Sequence, residues 1–79
     1  LRATITRPLA EAGGELARTL EVYLEGGGSL ESCARELYVH PNTVRYRLRR
    51  VAEITGHSPT DPRSALVLRA AVILGRLGP

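Results

Sequence analysis

Apolar positions recur along this chain with helical rather than strand periodicity. Over Glu15–Glu25, Leu16, Leu20, Tyr23 and Leu24 share one face while Glu15, Arg18, Glu21 and Glu25 lie on the other, which predicts a first firm helix. Gly26-Gly27-Gly28 ends it and offers a glycine for the left-handed position after the last turn. A glycine triplet can also cradle phosphate, but no strand precedes this one and no Lys follows it, so a helix stop is the better reading. Ser29 then caps a short helix over Leu30–Glu36, in which Leu30, Cys33, Ala34 and Leu37 face inward. Leu37-Tyr38-Val39 makes a tight turn into the next helix, which spans Pro41–Thr55.

That helix has a legible start. His40 serves as N-cap, and Pro41 takes the first helical position, where its missing N–H costs nothing. At about 100° per residue, Val44, Leu48 and Val51 fall on one face, with Asn42, Tyr46, Arg49 and Glu53 opposite. Arg45 flanks the outer face on one side, Thr43 and Arg50 on the other. Arg47 sits nearer the core edge, where its stem packs while its head reaches out. Gly56–Thr60 is a loop, after which Asp61 caps and Pro62 opens a last helix by the same two devices. Within Ser64–Arg76 only Arg69 and Arg76 are charged, so this helix is apolar almost all round. Arg76 in its last turn complements the helix dipole, and Gly78-Pro79 ends the chain. At the other end, Leu1–Thr6 reads as a lead-in and Pro8–Ala12 as a single helical turn stopped by Gly13-Gly14.

The predicted fold is all-α, a small bundle of four main helices. Residues 1–14 form a lead-in or linker, and residues 15–77 form one domain. A short helix, a three- to four-residue turn and a second helix with outward polar groups is a helix-turn-helix, here over residues 29–55, and such second helices enter the DNA major groove. Ala34 is small where the two helices must approach, and Val39 and Val44 plug the angle between them. Tyr38 stands at the turn position where glycine is frequent. The turn must therefore avoid positive φ or accept it at a cost.

Charge sharpens this picture. The 79 residues carry +3 at pH 7; Arg45, Arg47, Arg49 and Arg50 supply +4, and no acid lies between Leu37 and Ala52. The rest of the chain has seven Arg against eight Asp and Glu, a net of −1. A basic helix in a nearly neutral background is an electrostatic footprint for a polyanion. All eleven basic residues are Arg, which a GC-rich genome also explains. With no Phe, Trp or Met, the core must come from Leu, Val, Ile, Ala and three Tyr. The length suits one small domain near the size where a single core is marginal. The chain does not open on Met, as expected of a piece of something longer.

Other chemistry is thin. One cysteine forms no internal disulfide and fits a reducing cytoplasm, and on its inward face Cys33 reads as a small buried hydrophobe. No apolar run approaches the ~20 residues of a membrane span, and no signal-peptide pattern opens the chain. His57 has no second ligand at zinc spacing, so no metal site is expected. No cofactor motif and no nucleophile–base pair is present, so the chain reads as a binding module rather than an enzyme. The carboxylates of the first two helices read as solvated faces that leave that side acidic.

The basic helix offers two kinds of contact. Asn42 fills the first turn or reads adenine, and arginine reads guanine bidentately. Tyr46 on the exposed face suits phosphate, sugar or a thymine methyl, and Arg49 reaches bases or backbone according to helix tilt. Asn42, Arg45, Tyr46 and Arg49 are thus the base-reading candidates. Thr43, Arg47 and Arg50 are better placed for phosphates, which position a protein without carrying sequence information.

The run Asn42-Thr43-Val44-Arg45-Tyr46-Arg47-Leu48, with Leu37–Pro41 before it and Glu53-Ile54-Thr55-Gly56 after it, resembles the C-terminal helix-turn-helix domain of the PucR/CdaR family of bacterial transcriptional regulators. The similarity extends through Thr19–Leu24 and Asp61-Pro62, roughly Glu15 to Leu77. More distantly the motif is similar to the Fis-type helix-turn-helix, which implies a phosphate contact for Thr43 and a DNA-facing role for Arg45. Members often carry a basic residue where this chain has Pro41, so one base-reading candidate of the family is missing here. The resemblance implies sequence-specific binding of double-stranded DNA, as the output domain of a regulator whose sensing region lies upstream.

A helix of 15 residues is about 22 Å long, enough for one half-site, and specificity usually needs two modules about 34 Å apart. A homodimer is therefore expected, through the apolar 64–77 helix or through an upstream domain. Two rivals stand beside this reading. One is a helical protein-interaction module whose basic helix docks on an acidic partner, and the other a non-specific or RNA-binding basic domain.

Overall fold

Leu20 and Leu68 are wholly removed from solvent, one on the first helix and one on the last, and the core forms around them. The computed structural model describes residues 14–77, as four helices with no strand among the described residues. They are α1 (Gly14–Glu25), α2 (Leu30–Leu37), α3 (Pro41–Thr55) and α4 (Pro62–Leu77). The all-α bundle expected from periodicity is the observed one. The expected helical turn at Pro8–Ala12 and the chain end at Gly78-Pro79 lie outside the described residues, and the side chain of Arg76 is not described.

α1 is the central element and packs on each of the other three helices. That explains why it buries Thr19 and Val22 as well as the Leu20, Tyr23 and Leu24 of the expected stripe. A helix with neighbours on several sides needs a wider apolar arc than a one-sided surface helix. Its exit is the predicted glycine stop: Gly27, at φ 78°, donates to Leu24 O, and Gly28 donates to Tyr23 O at 3.0 Å. This paired closure satisfies two of the carbonyls that a helix end leaves open.

α2 and α3 start on the expected caps. Ser29 Oγ accepts from the Ser32 N–H at 3.2 Å, and His40 Nδ1 accepts from the Asn42 N–H at 3.0 Å with Pro41 opening the helix. Cys33 and Ala34 of α2 are buried, as are Val44, Leu48 and Val51 of α3. Fully burying a Val or Leu side chain stabilises by about 1.5–3 kcal/mol, so this stripe holds α3 against α1 and α2. α3 ends at Gly56, which donates to Ala52 O in a left-handed conformation.

The turn between α2 and α3 takes the costlier of its two options. Tyr38 adopts φ 58° and is the single non-glycine residue at positive φ among those described. Its N–H donates to Arg35 O and the Val39 N–H to Ala34 O at 3.0 Å, the same closure that ends α1.

α4 starts as predicted, with Asp61 Oδ2 accepting from the Ser64 N–H at 3.0 Å. Leu68 and Ala71 enter the shared core. Of the described helices α4 packs closely on α1 alone, not on the motif helices as well. Arg69 donates to Leu24 O and so caps the far end of α1. No helix among the described residues is long and apolar enough to cross a membrane.

Candidate nucleic-acid interface

Burial of Val44, Leu48 and Val51 dictates what the rest of α3 presents. Asn42, Arg45, Tyr46 and Arg49 are all exposed, the tyrosine at 60%, so one outward face gathers the four base-reading candidates. Arg45 Nη1 donates to Asn42 Oδ1 at 2.8 Å, which orients the amide and guanidinium side by side. The Arg49 guanidinium makes no hydrogen bond or ion pair among the described residues.

The helix has two unlike flanks. On the α1 side, Thr43, Tyr46, Arg47 and Arg50 line a groove with Gly14, Glu15 and Leu16. Here the arginines are tied down. Arg47 Nη2 lies 3.3 Å from Glu15 Oε2 and its Nη1 donates to Thr19 Oγ1 at 3.3 Å, leaving that side chain only 20% exposed. Thr19 is satisfied while fully buried, because its hydroxyl also donates to Glu15 O at 2.7 Å. Arg50 pairs with Glu53 at 2.6 Å in the open. Exposed pairs of this kind contribute about 0.2–1 kcal/mol, so Arg50 can leave Glu53 for a phosphate at little cost. Arg47 would have to leave two partners, one of them buried.

On the other side, Pro41 and Arg45 share a groove with Arg35, Tyr38 and His40. Further along α3, Arg45, Arg49 and Ala52 face Ser58, Pro59 and Thr60 of the loop before α4. Sequence spacing puts Tyr38 in the turn before the basic helix but does not point to Arg35 as a neighbour of Arg45. Nor does it reveal Glu15 and Thr19 as the holders of Arg47, because those partners lie 28 and more residues away along the chain. Cys33, the other reactive side chain nearby, is inert by environment. Its thiol donates to Thr19 O at 3.7 Å, and burial pushes its pKa up, aided by Glu36 and opposed by Arg47. No group of three metal-ligating side chains occurs among the described residues. The arrangement is a solvated basic face on a helix whose opposite face is buried.

The sequence model of the PucR C-terminal helix-turn-helix domain matches residues 16–74. An uncharacterized protein of Mycobacterium tuberculosis is 56% identical over 77 residues, which is 98% of this chain and 19% of that protein. The purine catabolism regulatory protein of Bacillus subtilis is 45% identical over 62 residues, 78% of this chain and 12% of its own length. Among solved structures, a regulator of polyketide synthase expression from Bifidobacterium adolescentis superposes with a TM-score of 0.77 at 55% identity, over 78% of this chain and 26% of that one. The chain thus spans a fifth or less of these two curated relatives.

Proposed function

The chain belongs to the PucR C-terminal helix-turn-helix family, and on that premise we propose that it is the sequence-specific, double-stranded-DNA-binding output domain of a bacterial transcriptional regulator working in the cytoplasm. Helix α3, residues 41–55, enters the major groove. Asn42, Arg45, Tyr46 and Arg49 face the base edges, where amide and guanidinium groups match adenine and guanine. Thr43 and Arg50 hold phosphates on the α1 side and position the helix, and Arg47 joins them by giving up Glu15 and Thr19. The domain comprises residues 15–77, with 1–14 leading into it, and it binds rather than catalyses.

One observation carries this reading: the exposed, Asn-, Tyr- and Arg-bearing face of α3 sits opposite a fully buried stripe, so the basic groups are held outward by the core itself. The working form is a homodimer. Leu66, Ala70 and Ile73 fall on one face of α4 at helical spacing, with Leu66 70% and Ile73 47% exposed, and this apolar stripe supports α4 as the contact.

Selection of bound duplexes from a random pool tests the proposal, followed by titration at several salt concentrations. Enrichment of particular duplexes is expected, with log affinity falling against log salt at about 0.9 per phosphate neutralised. Equal binding of all duplexes, or a preference for RNA or an acidic protein, would overturn it.

A further inference from the structure

The three residues assigned to phosphates, Thr43, Arg47 and Arg50, all lie on the α1 flank of α3. A helix seated in a major groove lies between two sugar–phosphate backbones. With its side chains it is about 10–12 Å across, in a groove about 12 Å wide. Both flanks therefore come within reach of phosphates, and the flank facing α2 has no assigned partner. That flank is where Arg35 and Tyr38 stand, in one groove with Arg45.

Two features of these residues are unexplained by the fold. The Arg35 side chain is exposed, and its guanidinium makes no hydrogen bond or ion pair among the described residues. Tyr38 is 94% exposed, so its ring buries almost nothing, yet it holds a left-handed conformation that the ends of α1 and α3 give to glycine. An L side chain is strained there. The turn that carries it is nonetheless firm, closed by the Val39 and Tyr38 hydrogen bonds back into α2. The chain thus carries a large amphipathic side chain, at a backbone cost, on a hydrogen-bonded turn beside the start of the basic helix.

We propose that Tyr38 and Arg35 grip the sugar–phosphate backbone of the strand opposite the one held by Thr43 and Arg50, making the C-terminal turn of α2 a second phosphate clamp. The proposal rests on α3 being the groove helix. The Tyr38 hydroxyl donates to a phosphate oxygen while its ring packs on deoxyribose, and the Arg35 guanidinium donates to the same or the next phosphate. His40 adds a third donor: with Nδ1 accepting from the Asn42 N–H, the proton of the neutral ring is on Nε2. Glu31 is the one acid in the groove, against Arg35 and Arg45. Contacts of this type fix how the helix tilts and add affinity to every duplex alike.

Wild-type chain and the variants Tyr38→Gly, Tyr38→Phe and Arg35→Gln are titrated at several salt concentrations with a selected duplex and an unrelated one. Circular dichroism melts are run in parallel. Glycine suits the left-handed turn, so Tyr38→Gly should melt no lower than wild type yet bind both duplexes about three- to tenfold more weakly, the range of one lost hydrogen bond. Tyr38→Phe, which keeps ring and fold, should show the hydroxyl's share of that loss. Arg35→Gln should weaken both duplexes and flatten the log–log salt slope by about 0.9. The order of preference between duplexes should not change. Variants binding like wild type with the same slope would overturn the clamp and leave the α3 reading intact, as would a loss confined to the selected duplex. Wild-type chain that binds no duplex would overturn both.

Discussion

Helices α3 and α4 begin in the same way and end up facing different solvents. Each has a capping side chain one residue before a proline: His40 Nδ1 accepts from the Asn42 N–H, and Asp61 Oδ2 from the Ser64 N–H. Each buries a stripe, Val44, Leu48 and Val51 in one and Leu68 and Ala71 in the other. Their outer faces then diverge. α3 shows Asn42, Arg45, Tyr46 and Arg49, whereas α4 shows Leu66, Ile73 and Leu74. Start signals and inner stripes decide where a helix lies; the outer face decides what it meets. A polyanion suits the first face and an apolar surface the second.

The sharpest break of this comparison sets inner against outer positions. Leu48→Ala should cost about 2–5 kcal/mol of folding stability, as a fully enclosed leucine leaves a cavity, while Leu66→Ser should change stability by no more than about 0.5 kcal/mol. Urea unfolding measures both. In exchange, Leu66→Ser combined with Ile73→Ser should abolish self-association at millimolar concentration, read by sedimentation. If the double variant associated as before, α4 would not be the dimer contact.

Next in size comes the loss of a base reader. Arg49→Ala and Asn42→Ala should each relax preference at one base pair by about 1–3 kcal/mol. The α4 double variant should leave affinity for a single half-site unchanged. Competition binding with singly substituted duplexes checks this, and a uniform loss across all duplexes would move Arg49 or Asn42 from reader to positioner. The two caps come after. His40→Ala and Asp61→Ala should each lower stability by about 1 kcal/mol, and thermal melts showing one much larger than the other would mean that the shared start hides different local strain.

How much of this was legible depended on distance along the chain. The limits of α3 were readable at both ends because each carries its own local device, His40-Pro41 and Gly56. The outward face followed from the same 3.6-residue period that hides Val44 and Leu48. Val22 escaped because a single stripe is all that period marks, and nothing local reveals that α1 has neighbours on several sides. Thr19 escaped for a related reason: its burial is tolerated only because Glu15 O and Arg47 meet its hydroxyl, and Arg47 comes from another helix. At Tyr38 the position of the turn was readable but its hand was not. That was decided by the closure of Val39 onto Ala34, which draws the residue between into the left-handed region.

The smallest expected effect probes the acid at the end of the basic face. Glu53 lies opposite the buried stripe and pairs with Arg50 at 2.6 Å, both side chains about half exposed. α4 shows no counterpart, since its outer face carries no acid among the described residues. Removing the carboxylate by Glu53→Gln should shift stability by less than about 0.5 kcal/mol, because an exposed i,i+3 pair gains little over its solvated parts. Near a phosphate the same carboxylate is a repulsive charge that also occupies the guanidinium. Glu53→Gln should therefore tighten every duplex by about two- to fivefold, a gain that shrinks as salt screens it, with the order of preference unchanged. Weaker binding instead would show that Glu53 aims Arg50 at its phosphate rather than holding it back, and would turn an apparent restraint into part of the contact surface.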